Sequence, residues 1–146
     1  MERHLEKPKI VEITRSVEEA EGIKSIIMPL QLNAKPGQFA MIWLPGVDAK
    51  PIAISYQDAE SFGVTIAAVG TWSNKICAMK PGELLGVMGP YGNSFKLEGK
   101  NIVFVGGGYG AATLMLLAEE AVKRQLNATM IIGAKSKDYI ITTLLV

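Results

Sequence analysis

The sequence predicts an N-terminal antiparallel Greek-key β-barrel over residues 1–99, followed by a short α/β region over residues 100–146. Three observations carry this expectation. Up to Gly99, short apolar segments alternate with polar residues and are cut by Pro-Gly turns; at Asn101 the texture changes to a continuous β-branched and aromatic run; and a glycine cluster leads from that run straight into an amphipathic segment. A chain of 146 residues accommodates one folded body or two small fused ones and excludes a large multidomain enzyme.

In the first region, Gln38 to Leu44 reads as a strand, and so does the stretch in which Phe62, Val64, Ile66 and Ala68 alternate with small or polar residues. Phe39 and Trp43 are expected to pack in the core on that alternation. Turns fall at Lys35-Pro36-Gly37, Pro45-Gly46, Lys80-Pro81-Gly82 and Gly89-Pro90-Tyr91-Gly92-Asn93, where proline fixes φ and glycine frees it. Closure into a barrel removes the exposed edges that such short strands would otherwise leave. The apolar stretch around Cys77 suits a short helix, with the thiol inert and buried.

In the second region, Ile102 to Val105 is a buried strand, Ala111 to Arg124 a helix, and Thr129 to Ile132 the next strand. Leu114, Leu117, Ala118 and Ala121 form the helix's apolar side, and Lys123 and Arg124 suit its C-terminal dipole. A helix between two strands makes them parallel. Two strands and one helix make a truncated nucleotide-binding type of sheet, because complete ones are covered on both faces. A second helix is expected to begin near Lys137, and Ile140, Ile141, Leu144 and Leu145 form an apolar ending with little to bury it. Oligomerisation, with itself or with another subunit, is the expected remedy.

Composition removes several function classes. Fifteen basic against fourteen acidic residues leave no dense positive surface for nucleic acid. A single cysteine excludes an intrachain disulfide and an iron-sulfur cluster ligated by this chain alone. Ile102 to Ala118 is uncharged, but its glycines argue against a membrane span. No apolar leader follows Met1, so a cytoplasmic location is expected. His4 stands among charged residues and is expected in solvent.

Gly106, Gly108 and Ala111 satisfy a Gly-x-Gly-x-x-Gly/Ala spacing between a strand and a helix. Absent side chains let a pyrophosphate approach the backbone amides at a helix N-terminus. The alternative is a tight turn whose glycines let the helix pack on the sheet. The acidic residue that would read an adenosine ribose is missing from Gly133-Ala134-Lys135-Ser136-Lys137.

Five segments in order give the sequence a more specific character: Pro36-Gly37-Gln38-Phe39, Lys50-Pro51-Ile52-Ala53-Ile54-Ser55, Val69-Gly70-Thr71, Gly89 to Phe95, and Val105 to Gly110. Over about residues 8–138 the chain resembles the ferredoxin reductase superfamily, and within it the electron-transfer subunits of dihydroorotate dehydrogenase. The resemblance implies an FAD-binding barrel and a partial NAD(P)-binding domain. It further implies hydride transfer from NAD(P)H to the flavin, and electron delivery to a catalytic dehydrogenase subunit or other redox partner. Related readings are a reductase serving ferredoxin, hydrogenase or sulfur reduction, or a non-catalytic flavin-binding module.

Carried over by position, Lys50, Pro51, Ile52, Ala53 and Ser55 run beside the flavin, and Val69, Gly70 and Thr71 receive its pyrophosphate. Gly106, Gly107, Gly108 and Gly110 face the nicotinamide nucleotide. Two positions depart from the family pattern. Lys50 replaces an arginine and loses the bidentate fork, and Ala53 replaces a serine, with Ser55 the nearest hydroxyl on the same strand face. Trp72 reads either as an adenine-stacking surface or as core, Tyr56 as a flavin stacker or a structural tyrosine, and Asn93 as a brace for its loop.

Overall fold

The apolar alternation translates into strands through most of the chain. The computed structural model describes residues 6–141, which excludes His4, Leu144 and Leu145. Seven strands form one antiparallel sheet: β1 (Lys9–Glu12), β2 (Arg15–Ala20), β3 (Ile23–Met28), β4 (Phe39–Leu44), β5 (Asp48–Gln57), β6 (Phe62–Ala67) and β7 (Leu84–Tyr91). Their order is β1-β7-β4-β5-β6-β3-β2. Within it, β4, β5 and β6 follow one another and β7 returns beside β4, which is the Greek-key connection.

The expected closed barrel is instead an open, curled sheet. Its end strands β1 and β2 share no ladder but are consecutive in the chain, separated only by Ile13 and Thr14. At this corner Ile13 exchanges backbone hydrogen bonds with Glu83 and Gly82, while the Thr14 amide donates to Ile27. One bent segment therefore serves both edges, and a mutual ladder is unnecessary.

The concave face is filled by Ala40 and Ile42 of β4, Ile54 of β5, Phe62, Val64 and Ile66 of β6, and Leu85 and Val87 of β7. Helix α1 (Thr71–Ala78) adds Trp72, Ile76 and Cys77 to the same core. Because Ala40 and Ile42 point inward, Phe39 and Trp43 face outward and are half-buried, contrary to the core placement expected of them. The strand period is right and its phase is opposite. Trp43 lies over Gly86, where an added Cβ would come within 2.5 Å of the indole, and Phe39 pairs with Tyr91 at 5.8 Å between ring centroids.

In the second region β8 (Asn101–Gly107) and β9 (Asn127–Gly133) pair in parallel, from Asn101↔Asn127 to Gly107↔Gly133. The helix expected from Ala111 begins later: Gly108–Leu114 is a 3-10 segment, and helix α2 spans Met115–Lys123. Glycine's weak helix propensity at 108 and 110 and the lack of a capping side chain account for the delay. Leu114, Leu117, Ala118 and Ala121 pack against Phe104, Ile102 and Met130 as the apolar face anticipates. Leu116, one residue round the helix, enters the core of the antiparallel sheet instead.

The expected second helix is a single 3-10 turn, Lys137–Tyr139. Ile141, expected to lack cover, is 1% exposed against Ile23 and Ala112, and Asp138 accepts a hydrogen bond from the Glu21 amide. Among the described residues nothing covers the opposite face of β8 and β9, where Val103, Val105 and Ile131 are all more than half exposed.

Phe62 is fully buried at the centre of the curled sheet. Phe62→Ala is expected to lower stability by about 3–5 kcal/mol in urea unfolding with an unchanged denaturant slope. A loss below about 1 kcal/mol, the ordinary effect of a point change, would contradict this account of the core.

Candidate functional site

Strand β6 runs out at Ala67 and delivers the chain to α1 through Val69 and Gly70. Gly70 is the N-cap residue, in an extended conformation that any residue adopts (φ −158°). Its glycine matters for what is missing: no side chain caps the helix, no acidic residue stands in the first turn, and an added Cβ would meet nothing within 4 Å. The Ser73 hydroxyl accepts hydrogen bonds from the Val69 and Gly70 amides at 3.0 and 2.9 Å and donates to the Gly70 carbonyl. It thereby ties up the two upstream amides. The amides of Thr71, Trp72 and Ser73 follow, in the first turn, where a helix offers no intrahelical acceptor.

This helix start borders a cleft of about 600 Å³. Lys50, Pro51 and Ile52 of β5 form one wall, Thr65, Ile66 and Ala67 of β6 another, Val69 to Ser73 a third, and Tyr109 reaches in from the second region. Among the described lining residues Lys50 is the one cation and Asp48 the one anion, and they form an ion pair at 2.6 Å with both side chains about half exposed (49%). The Lys50 ammonium, together with the Ala49 amide, holds the Asp48 carboxyl below the usual carboxylate range. At that exposure the pair contributes little to stability, so Lys50 can exchange Asp48 for an incoming anion.

The structure therefore brings Lys50, Pro51, Ile52, Val69, Gly70 and Thr71 together around one cleft. Ala53 and Ser55 are not among its lining. Ala53 pairs with Phe39, and the buried Ser55 hydroxyl is 2.8 Å from Thr65 Oγ1, which also meets Ser25 Oγ. A β-bulge between Ile54 and Tyr56 breaks the simple face alternation on which Ser55 was placed beside Ala53.

In the glycine cluster, Gly106 is a packing glycine: a Cβ there would sit 2.7 Å from Ala111 Cα. Gly107, Gly108 and Gly110 face open space, and Gly108 has φ +53°, where a side chain is disfavoured. Gly106 thus serves close packing of the segment after it, one of the two readings the spacing allowed. Only Tyr109 from it touches the cleft.

Tyr56 also lies outside the cleft lining; its hydroxyl donates to Asp58 Oδ2 at 2.6 Å and its phenol is raised by that bond. The loop at Gly89 to Phe95 is braced by Gln38, which donates to the Gly92 carbonyl, and by the Phe95 amide bonding to Pro36, rather than by the exposed Asn93. Cys77 is buried, and desolvation pushes its thiol up. Asp48, Thr65, Ser73 and Tyr109 were not foreseen at the site. Asp48 had a signal, since it stands two residues before Lys50 on the same strand.

Among the described residues no group of three or more His, Cys, Asp or Glu is arranged to hold a metal ion, and no helix is long and apolar enough to cross a membrane. No family model matches the chain. It is 40% identical over 134 residues to the "Probable dihydroorotate dehydrogenase B (NAD(+)), electron transfer subunit" of Methanocaldococcus jannaschii, covering 92% of this chain and 51% of that protein. The protein of the same name from Methanothermobacter thermautotrophicus is 38% identical, with 90% and 50% covered. A solved structure of an NADH-dependent reduced ferredoxin-NADP oxidoreductase, described for flavin-based electron bifurcation, superposes with TM-score 0.84 at 29% identity, over 92% of this chain and 52% of that one. In sequence the chain is similar to these electron transfer subunits, and in fold to this ferredoxin-NADP oxidoreductase.

Phthalate dioxygenase reductase, described as a modular structure for electron transfer from pyridine nucleotides to [2Fe-2S], shares the fold at TM-score 0.80 and 15% identity, covering 92% of this chain and 46% of that one. The chain spans about half the length of the curated relatives it matches.

The Asp58 carboxyl is held well below its ordinary value by the Tyr56 hydroxyl first, then by the Glu60 and Ser61 amides. A depressed folded-state value contributes stability above the unfolded pKa of about 3.9 and loses it as pH falls towards the folded value. Asp58→Asn is expected to show a shallower stability loss than the wild type between about pH 4 and pH 2, measured as urea midpoint against pH. Parallel curves would contradict the assignment.

Proposed function

We propose that the cleft holds a flavin dinucleotide and that the chain is the flavin-bearing part of an electron-transfer subunit, fed by NAD(P)H and serving a catalytic dehydrogenase. The observation that carries the reading is the uncapped start of α1, with open space at Gly70 and Lys50 lining the same cleft. Bare amides, a helix dipole and one exchangeable ammonium suit a pyrophosphate. The volume of about 600 Å³ lies within the range of small-molecule sites. A bound flavin supplies the conversion of a hydride into single electrons.

The chain's own residues bind and orient. The Thr71, Trp72 and Ser73 amides donate to phosphate oxygens, and Lys50 leaves Asp48 to neutralise them as a point charge. Pro51 and Ile52 give an apolar wall that excludes water from the ring. Ala53 and Ser55 keep the neighbouring strand close-packed rather than donating to the ring. Residues 1–99 form the FAD-binding domain and residues 100–146 part of an NAD(P)-binding domain, with the nicotinamide nucleotide's phosphates near Gly107, Gly108 and Gly110. Tyr109 links the two.

The final substrate favoured by the relatives' names is dihydroorotate, oxidised on the partner subunit. The cytoplasm is the compartment consistent with this reading. Purified protein that is yellow and bleaches with NADH or NADPH supports the reductase; yellow protein that never bleaches favours a non-catalytic flavin module.

Gly70→Trp is expected to weaken FAD binding at least tenfold, the equivalent of about 1.4 kcal/mol, in a fluorescence titration, with α1 intact by circular dichroism. Wild-type affinity would remove the pyrophosphate from this loop. The bare face at Val103, Val105 and Ile131 requires cover, because parallel sheets are buried on both sides. In isolation a second copy is expected to supply it, so sedimentation should show a dimer that Val105→Asp converts to a monomer. A stable wild-type monomer would contradict this.

A further inference from the structure

Trp72 is 6% exposed, its ring belongs to the core of the curled sheet, and it also lines the cleft at the start of α1. Its indole nitrogen is buried from solvent and has no hydrogen-bond partner among the described residues. An aromatic ring placed only for bulk needs no N–H, and a buried donor left unpaired carries the full desolvation penalty. Water cannot satisfy a nitrogen that solvent does not reach. The indole occupies the second position of the helix, and helical side chains lean back towards the N-terminus. That direction leads from Trp72 towards Gly70 and the start of α1.

Resting on the flavin dinucleotide reading, we infer that the Trp72 indole N–H donates a hydrogen bond to a phosphate oxygen of the ligand seated at the start of α1. Trp72 is then a ligand-binding residue as well as a core residue. Its donor joins the three amides and Lys50, a set of donors at the helix start that selects a group rich in acceptors once Lys50 leaves Asp48. Trp72 lines the cleft while solvent does not reach its nitrogen, so the ligand meets it through a small displacement of the Val69–Gly70 segment. The unfilled space about Gly70 permits that displacement. Neither a stacking platform nor an inert core ring predicts this donor's use.

Trp72→Phe keeps the ring and removes the N–H. The expected result is an FAD affinity lower by about tenfold, as for loss of one hydrogen bond to a charged group, while the ligand-free protein unfolds at an unchanged or higher urea concentration. A purely structural tryptophan gives the reverse, a less stable protein with unchanged affinity, and that result would overturn the inference. A second measurement leaves the wild-type sequence intact. The chain has two tryptophans, Trp43 and Trp72, so its nitrogen-15 spectrum contains two indole signals, which Trp43→Phe assigns. Saturation with FAD, and with ADP as a carrier of the phosphates alone, should move the Trp72 indole proton downfield. A stationary signal under saturating FAD would overturn the inference while leaving the flavin reading in place. A wild-type protein that binds neither FAD nor ADP would overturn the flavin reading and this donor with it.

Discussion

A helix start left without a cap is the feature on which the site depends. Gly70 offers no side chain to the first-turn amides, and the Ser73 hydroxyl is committed to Val69 and Gly70 rather than to the helix. A serine or aspartate at position 70 would satisfy those donors internally and abolish their use. The cost of leaving them open is small in isolation because α1 is held by its other face: Trp72, Ile76 and Cys77 are packed in the sheet core. Burial of one side of the helix thus permits an unsatisfied end on the other.

The second region is tied to the same body through α2. Its Leu117 and Ala121 cover the parallel strand pair while Leu116 enters the core of the antiparallel sheet. The 3-10 segment before it packs Ala112 against Ile23 and Ile141. These contacts hold Tyr109 at the mouth of the cleft. What they do not provide is cover for Val103, Val105 and Ile131, so the parallel pair is anchored on one face and open on the other.

Much of this was legible in the residues. The strand at Phe62, the turns at Pro36-Gly37 and Pro81-Gly82, the parallel pairing about the glycine cluster and the apolar side of α2 all follow from period and punctuation, which are local signals. The phase of β4 was not legible: Phe39 and Trp43 are the larger side chains, yet Ala40 and Ile42 fill the core, a choice that tertiary packing makes and strand period does not record. The same limit applies to Ser55, whose direction is set by a bulge that depends on pairing with β6. Lys50 and Gly70 were recognisable by their place in a family pattern, whereas Asp48, Thr65 and Tyr109 reach the cleft through tertiary geometry. Ile141 finds cover on Ile23 and Ala112, a contact between distant parts of the chain that no local pattern records.

The most direct test of the central claim is a crystal structure of the chain grown with FAD. The account predicts the pyrophosphate within hydrogen-bonding distance of the Thr71, Trp72 and Ser73 amides, with the Lys50 ammonium turned from Asp48 to a phosphate oxygen. Density for the dinucleotide elsewhere, or a cleft closed by the protein's own side chains with the first-turn amides satisfied internally, would contradict it.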